Sequence, residues 1–295
     1  MTSPPLLRFT TVTGYFLQDD PSTDPDTFDY AKSNFGLIDK HYDEHPGIEQ
    51  TDSRWRRFDA HIRRLNANDT KKLKVLFLGR HGEGVHNVAE RKYGTKEWDD
   101  YWSLQDGDLD GNWVDARLTE QGRCQAQVAH AAWKQQIEAG IPSPESYYVS
   151  PLNRCLETAQ ITFQRLAIPG TDPFKPIIKE LLRETMGQHT CDRRSTASEI
   201  AEEYPEYRFE AGFSEEDKLW DPEVRESNEH RDDRLRGLLN DIFAHDESMY
   251  ISLTAHSGAI TSILEVLGHR RFALATGAVI PVLVLVEKVT PSQSS

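Results

Sequence analysis

From Leu73 onward the sequence predicts an α/β domain built on a mainly parallel sheet with crossover helices, and three observations predict it. Short apolar runs alternate with amphipathic stretches as far as Val286. Most of the runs are rich in β-branched or aromatic residues, the types that suit a pleated surface. Arg80, His81, Arg154, Glu184 and His256 all fall just after a run. In an open parallel sheet that is the edge where ligands bind.

Residues 1–72 are unlike the rest. A Pro/Asp-rich stretch from Asp19 to Asp29 precedes aromatic and charged residues without a clear period. This part is read as an N-terminal extension packed on the core, and 73–295 as the main domain. Within the extension, Trp55, Phe58, Ile62 and Leu65 recur at spacings of three and four, predicting a helix over Ser53–Leu65. Strands are expected at Lys74–Gly79, Tyr147–Ser150, Ile177–Glu180, Tyr250–Ala255 and Val279–Val286. Helices are expected near Thr119–Ala139, Pro151–Leu166, Ser195–Glu203, Asn228–Ala244 and Ala259–Leu267. The fourth of these carries Leu235, Leu238, Leu239, Ile242 and Phe243 as one buried face.

Composition narrows the function. Of 295 residues 37% are hydrophobic and 28% charged, and no apolar run approaches the ~20 residues needed to cross a bilayer. Met1 to Asp20 lacks the basic start and unbroken apolar stretch of a secretory signal, so a soluble, cytoplasmic protein is expected. A net charge of −14 argues against nucleic acid and anionic membrane as partners, since polyanions are held by clustered Lys and Arg. An anionic substrate must then be captured by a local arginine-lined pocket. Cys124, Cys155 and Cys191 are odd in number and lack metal-ligand pairing, so free thiols are expected, with no disulfide framework, metal or cofactor.

The polar residues after the runs match the needs of metal-free phosphoryl transfer: a nucleophile, positive charge around the equatorial oxygens, and a proton donor for the leaving oxygen. His81 is the candidate nucleophile, because a neutral imidazole is competent near pH 7. Its tautomer would be fixed if the other ring nitrogen donated to a backbone carbonyl. Arg80 and Arg154 are the candidate cradle, since a guanidinium fork holds two phosphate oxygens and keeps its charge. His256 would donate from the side opposite His81. Glu184, protonated on substrate binding, would deliver the leaving-group proton. Gly82 and Gly84 flank Glu83 and free the loop to approach an anion.

These residues carry a resemblance. Leu78-Gly79-Arg80-His81-Gly82-Glu83, followed by Asn87, resembles the phosphohistidine motif of the histidine phosphatase superfamily, phosphoglycerate-mutase-like branch. Leu118-Thr119-Glu120-Gln121-Gly122 resembles its Leu-Thr-x-x-Gly helix start, and Ser150-Pro151-Leu152-Asn153-Arg154 its second-arginine motif. Leu182-Arg183-Glu184 resembles its acid segment, and Ala255-His256-Ser257-Gly258 its second histidine. The segment Thr185 to Ser195 resembles fungal members. The resemblance implies a three-layer α/β/α sandwich, a phosphohistidine at His81, and a phosphate pocket of Arg80, Arg154 and His256. It also implies that Asn87 touches the phosphate or its loop, and that 187–246 is a variable cap.

The expected activity is hydrolysis of a small organic phosphate monoester through a covalent phosphohistidine. A phosphomutase is the first alternative, and a decayed phosphatase fold that only binds is the second. A mutase needs further phosphate ligands, for which Arg193 and Arg194 are the only candidates. Their plainer reading is a solvated charge pair. Gly84, His189, Arg193 and Arg194 are the candidate specificity residues. His86, His189 and His269 are otherwise read as surface or packing histidines, and Trp98, Trp102 and Trp113 as core packing. Asp115 is read as helping to cap or orient the helix that starts at Thr119, and Glu83 as the second choice of acid.

Overall fold

Alternation along one central strand decides the layering. The structure, a computed structural model, describes residues 7–42, 51–67, 72–166 and 174–289. Its strands are β1 (Leu7–Thr11), β2 (Lys72–Arg80), β3 (Gly107–Asp108), β4 (Gly111–Asn112), β5 (Ser146–Val149), β6 (Ile177–Ile178), β7 (Arg208–Phe209), β8 (Tyr250–Ala255) and β9 (Val279–Lys288). Seven of them form one sheet in the order β1-β9-β2-β8-β5-β6-β7, and β3 and β4 make a small separate hairpin. From β2 to β7 the neighbours run parallel, while β9 is antiparallel to both β2 and β1.

The helices are α1 (Arg54–Leu65), α2 (Val85–Tyr93), α3 (Thr95–Asp100), α4 (Glu120–Glu138), α5 (Asn153–Phe163), α6 (Ala197–Glu203), α7 (Asn228–His245) and α8 (Ser257–Val266). Several begin where a hydroxyl accepts an otherwise orphaned backbone N–H. Thr119 accepts from Gly122, Ser53 from Arg56, and Ser227 from His230. At α6, Thr196 and Glu199 bond each other's backbone N–H groups reciprocally.

On β2, Leu76 and Leu78 join the cluster of α7 and α8 side chains that includes Leu235, Leu238, Ile260 and Ile263. Val75 and Phe77 point the other way, into Ala129, Ala132 and Trp133 of α4 and an aromatic group from the N-terminal segment. A helical layer on each face of a mostly parallel sheet makes the expected α/β/α sandwich. Such strands read as near-continuous apolar runs because both faces are covered.

Residues 7–42 and 51–65 do more than pack against the core. Phe16, Phe35, Trp55, Phe58 and Ile62 are wholly buried beside Phe77, and β1 extends the sheet by pairing with β9. A five-residue strand with alternating burial carries too little apolar signal to stand out in the sequence. The expected strand Ile177–Glu180 shortens to Ile177–Ile178, followed by a 3₁₀ turn at Glu180–Leu182. The Glu180 carboxylate is drawn to Arg183 and Arg194 at 3.0–3.1 Å, which bends the chain out of the strand. Within 187–246, the expected cap, α7 turns its buried face to the core of the main domain. No helix among the described residues is long and apolar enough to cross a membrane.

Candidate active site

The parallel register brings the chemistry to one edge. Arg80 lies opposite Ala255 and Val149 opposite Thr254, so His81, His256 and Ser150 leave β2, β8 and β5 side by side. The His81 backbone is pinned there by donation to Ala255 O at 3.0 Å and by acceptance from Gly277 N at 3.0 Å. Its Nδ1 lies 2.7 Å from Gly82 O. A carbonyl only accepts, so Nδ1 carries the hydrogen and Nε2 keeps its lone pair. Burial, reinforced by Arg154 and Arg80, holds the imidazole well below its usual pKa, and the ring is neutral.

The loop after His81 is set by close backbone contact with the start of α4. A Cβ on Gly82 would meet Gly122 O at 2.3 Å, and one on Gly122 would meet Glu83 O at 2.1 Å. Thr119 N also donates to Glu83 O. Asn87 Oδ1 accepts from Gly84 N at 2.9 Å, so this side chain shapes the loop. Both Glu83 oxygens are held, one by Thr119 Oγ1 and the other by Arg91.

His256 is fully buried with its ring 5.1 Å from that of His81. Its Nε2 shares a 2.7 Å hydrogen bond with Ser150 Oγ, and Cys155 Sγ lies 3.4 Å away. Burial, then Arg154, His81 and His86, hold its pKa well down. Arg154, in the first turn of α5, donates to Cys191 O at 2.7 Å and Asp192 Oδ1 at 2.8 Å. Arg80 donates to Leu274 O at 2.6 Å. The Nε–H groups of both arginines are buried without a protein acceptor. Glu184 accepts from Gly258 N at 2.9 Å, which sets its carboxylate at the N-terminus of α8. A Cβ on Gly258 would fall 2.1 Å from Glu184 Oε1, so glycine is required for this approach.

The specificity candidates divide. Arg194 is buried, with Nε on both oxygens of Glu180 and its other nitrogens on the carbonyls of Ser195, Ser214, Glu215 and Glu216. It is neither half of a solvated pair nor free to hold an anion, because those acceptors consume its donors. Arg193 lies over the Trp220 ring and 3.7 Å from Asp106. His189 is partly buried, edge-on to Trp98 and 4.0 Å from Asp99. Gly84 is explained by a neighbour, since a Cβ there would meet His86 Nδ1 at 2.6 Å.

Two residues, Asp115 and Asp192, differ from the sequence reading or escaped it. Asp115 accepts from Asn153 N at 2.8 Å and from Ser195 N and Oγ at 3.0 and 2.7 Å. It therefore pins the start of α5 to the 187–227 segment and does not cap α4, whose Thr119 caps itself. Asp192 is the buried partner of Arg154 and also accepts from Arg225 at 3.1 Å. Burial works to raise its pKa, but Arg154 and Arg225 prevail and hold the carboxyl below its usual range. His86, read as surface or packing, stands with its ring 5.6 Å from His81. His189, Cys191 and Asp192 also bring ligand-type atoms within 4.8 Å of one another. They make a poor cation site, since guanidinium groups hold the carboxylate and burial pushes the Cys191 thiol well up.

Known proteins are similar to this chain. The profile of the histidine phosphatase superfamily (branch 1) matches residues 76–278. A probable phosphoglycerate mutase of Arthroderma benhamiae is 57% identical over 290 residues, covering 97% of this chain and 87% of that protein. Phosphomutase-like protein 3 of Candida albicans is 36% identical over 285 residues, covering 96% and 81%. A probable phosphoglycerate mutase of Saccharomyces cerevisiae is 36% identical over 231 residues, covering 72% and 78%. These relatives are fungal, as the Thr185–Ser195 segment implied. With His81, Arg154, Glu184 and His256 all on matched segments, the chain belongs to the histidine phosphatase superfamily.

Proposed function

We propose that the protein is a phosphatase that hydrolyses a small organic phosphate monoester through a phosphohistidine on His81. The hydrogen bond from Nδ1 to Gly82 O carries this reading, because it leaves Nε2 as a neutral nucleophile beside His256. Nε2 attacks phosphorus, and the bond from phosphorus to the leaving oxygen breaks. Arg80, Arg154 and His256 hold the equatorial oxygens, and Glu184 gives its proton to the leaving alkoxide. Positive charge on the phosphorylated ring is stabilised by the Gly82 carbonyl. Water then attacks phosphorus, the phosphorus–nitrogen bond breaks, Glu184 takes the water proton, and inorganic phosphate leaves.

Hydrolysis is favoured over mutase activity by the fate of Arg194. Of the two candidate ligands for a second phosphate, Arg194 is committed to Glu180 and backbone carbonyls, while Arg193 lies over the Trp220 ring 3.7 Å from Asp106. The mutase remains the second reading on the strength of the relatives' names. A panel of sugar phosphates, phosphoglycerates, nucleotides and an aryl phosphate separates the two. Phosphate release without positional isomers is expected, whereas isomer formation dependent on a bisphosphate primer would overturn the phosphatase reading.

A further inference from the structure

His86 belongs to the first turn of α2, and its ring is tilted 52° to that of His81 at 5.6 Å. The Nδ1–Cε1 edge is turned to Gly84, where an added Cβ would come within 2.6–2.7 Å of those two atoms. Nδ1 is closed to solvent and has no hydrogen-bond partner. A buried N–H lacking an acceptor is the rarer and costlier state, so the hydrogen belongs on the other nitrogen. Desolvation of this half-buried ring, then Arg154, His81, Arg80 and His189, shift its pKa down and favour the neutral form. His86 therefore offers one donor, Nε2–H, on a ring centred 5.6 Å from that of His81.

We propose that His86 is a further catalytic residue, donating from Nε2–H to an oxygen of the phosphoryl group transferred to His81. This inference rests on the phosphoryl-transfer reading above. It gives the loop Gly84-Val85-His86-Asn87 two tasks: Asn87 fixes the loop backbone, and His86 reaches the substrate. A neutral donor adds to the cradle without adding charge, which suits a pocket where Arg80 and Arg154 already repel one another.

The test compares the full-length protein with His86→Phe, His86→Asn and His86→Gln. Phenylalanine keeps the ring bulk without a donor. Asparagine places its amide near the Nδ1 position, while glutamine places it near Nε2. Hydrolysis of para-nitrophenyl phosphate and affinity for inorganic phosphate by titration calorimetry are the readouts, with thermal unfolding as the control for folding. Phe and Asn are expected to lower kcat/KM by ~10–100-fold and to weaken phosphate binding, with Gln retaining most of both. Wild-type turnover and binding in the Phe variant would overturn the inference while leaving phosphoryl transfer intact. Should Phe not fold, equal losses in Asn and Gln would overturn it instead. Phosphate binding that depends on His86 in a protein forming no phosphohistidine would support the contact and sink the transfer reading.

Discussion

Arg154 and Asp192 face each other at 2.8 Å with side chains only 1% and 3% exposed. Breaking such a pair from one side leaves a buried charge uncompensated, at a cost of about 3–5 kcal/mol. Asp192→Ala is therefore expected to lower the urea midpoint sharply. An anion near Arg154 would replace part of the missing negative charge, so inorganic phosphate should stabilise this variant more than the wild type. Equal stabilisation of both proteins would mean that Arg154 does not face the anion pocket.

The tautomer of His81 predicts a covalent intermediate. Rapid acid quench is unsuited to a phosphohistidine, so denaturation in alkali after mixing with a labelled monoester should retain label that acid removes. His81→Ala should abolish it. Turnover by wild-type protein with no trapped label would count against covalent catalysis.

Gly258 and Glu184 should behave as one unit. A methyl group on residue 258 would stand 2.1 Å from Glu184 Oε1 and must displace the carboxylate. Glu184→Gln should slow alkyl phosphates by ~10²–10⁴-fold and para-nitrophenyl phosphate much less, because a good leaving group needs no proton. Gly258→Ala should show the same preference. If both variants slow both substrate types alike, Glu184 is not the acid.

Two buried histidines, His81 and His256, and the half-buried His86 set an acid limit on stability. For His81, His86 and His256 the native pKa lies well below that of the unfolded chain, chiefly through burial and then through Arg154. The unfolded state then binds more protons once the pH falls below about 6.5. The stability associated with each neutral ring is complete above that pH and declines by up to about 1.4 kcal/mol per unit toward the native pKa. Urea unfolding in phosphate-free buffer at about pH 7.5 and pH 5.5 measures the slope. His256→Gln should flatten it, and an unchanged slope would show that His256 does not enter the balance.

What the sequence made legible follows from physical range. Strands such as Tyr250–Ala255 and helices such as α7 announce themselves because their apolar pattern is local and long. His81 and His256 were legible because a strand end and a motif coincide. Arg194 was misread because its acceptors lie on Glu180 and on residues 214–216, and no local pattern reveals a tertiary partner. Asp192 escaped for the same reason: its role depends on Arg154, far away in the chain. The strand β1 escaped because its partner β9 lies at the opposite end of the sequence.

That pairing has a consequence for synthesis. β1 and β2 leave the ribosome well before β8 and β9, which flank β2. At ~5–20 residues per second, β2 waits on the order of ten seconds or more for either neighbour. Through that time its apolar faces and the aromatic residues destined to meet them have no sheet to join. Nascent chains halted before β8 should therefore be cut readily by protease and held by chaperones, with native resistance arriving only after β9 clears the exit tunnel.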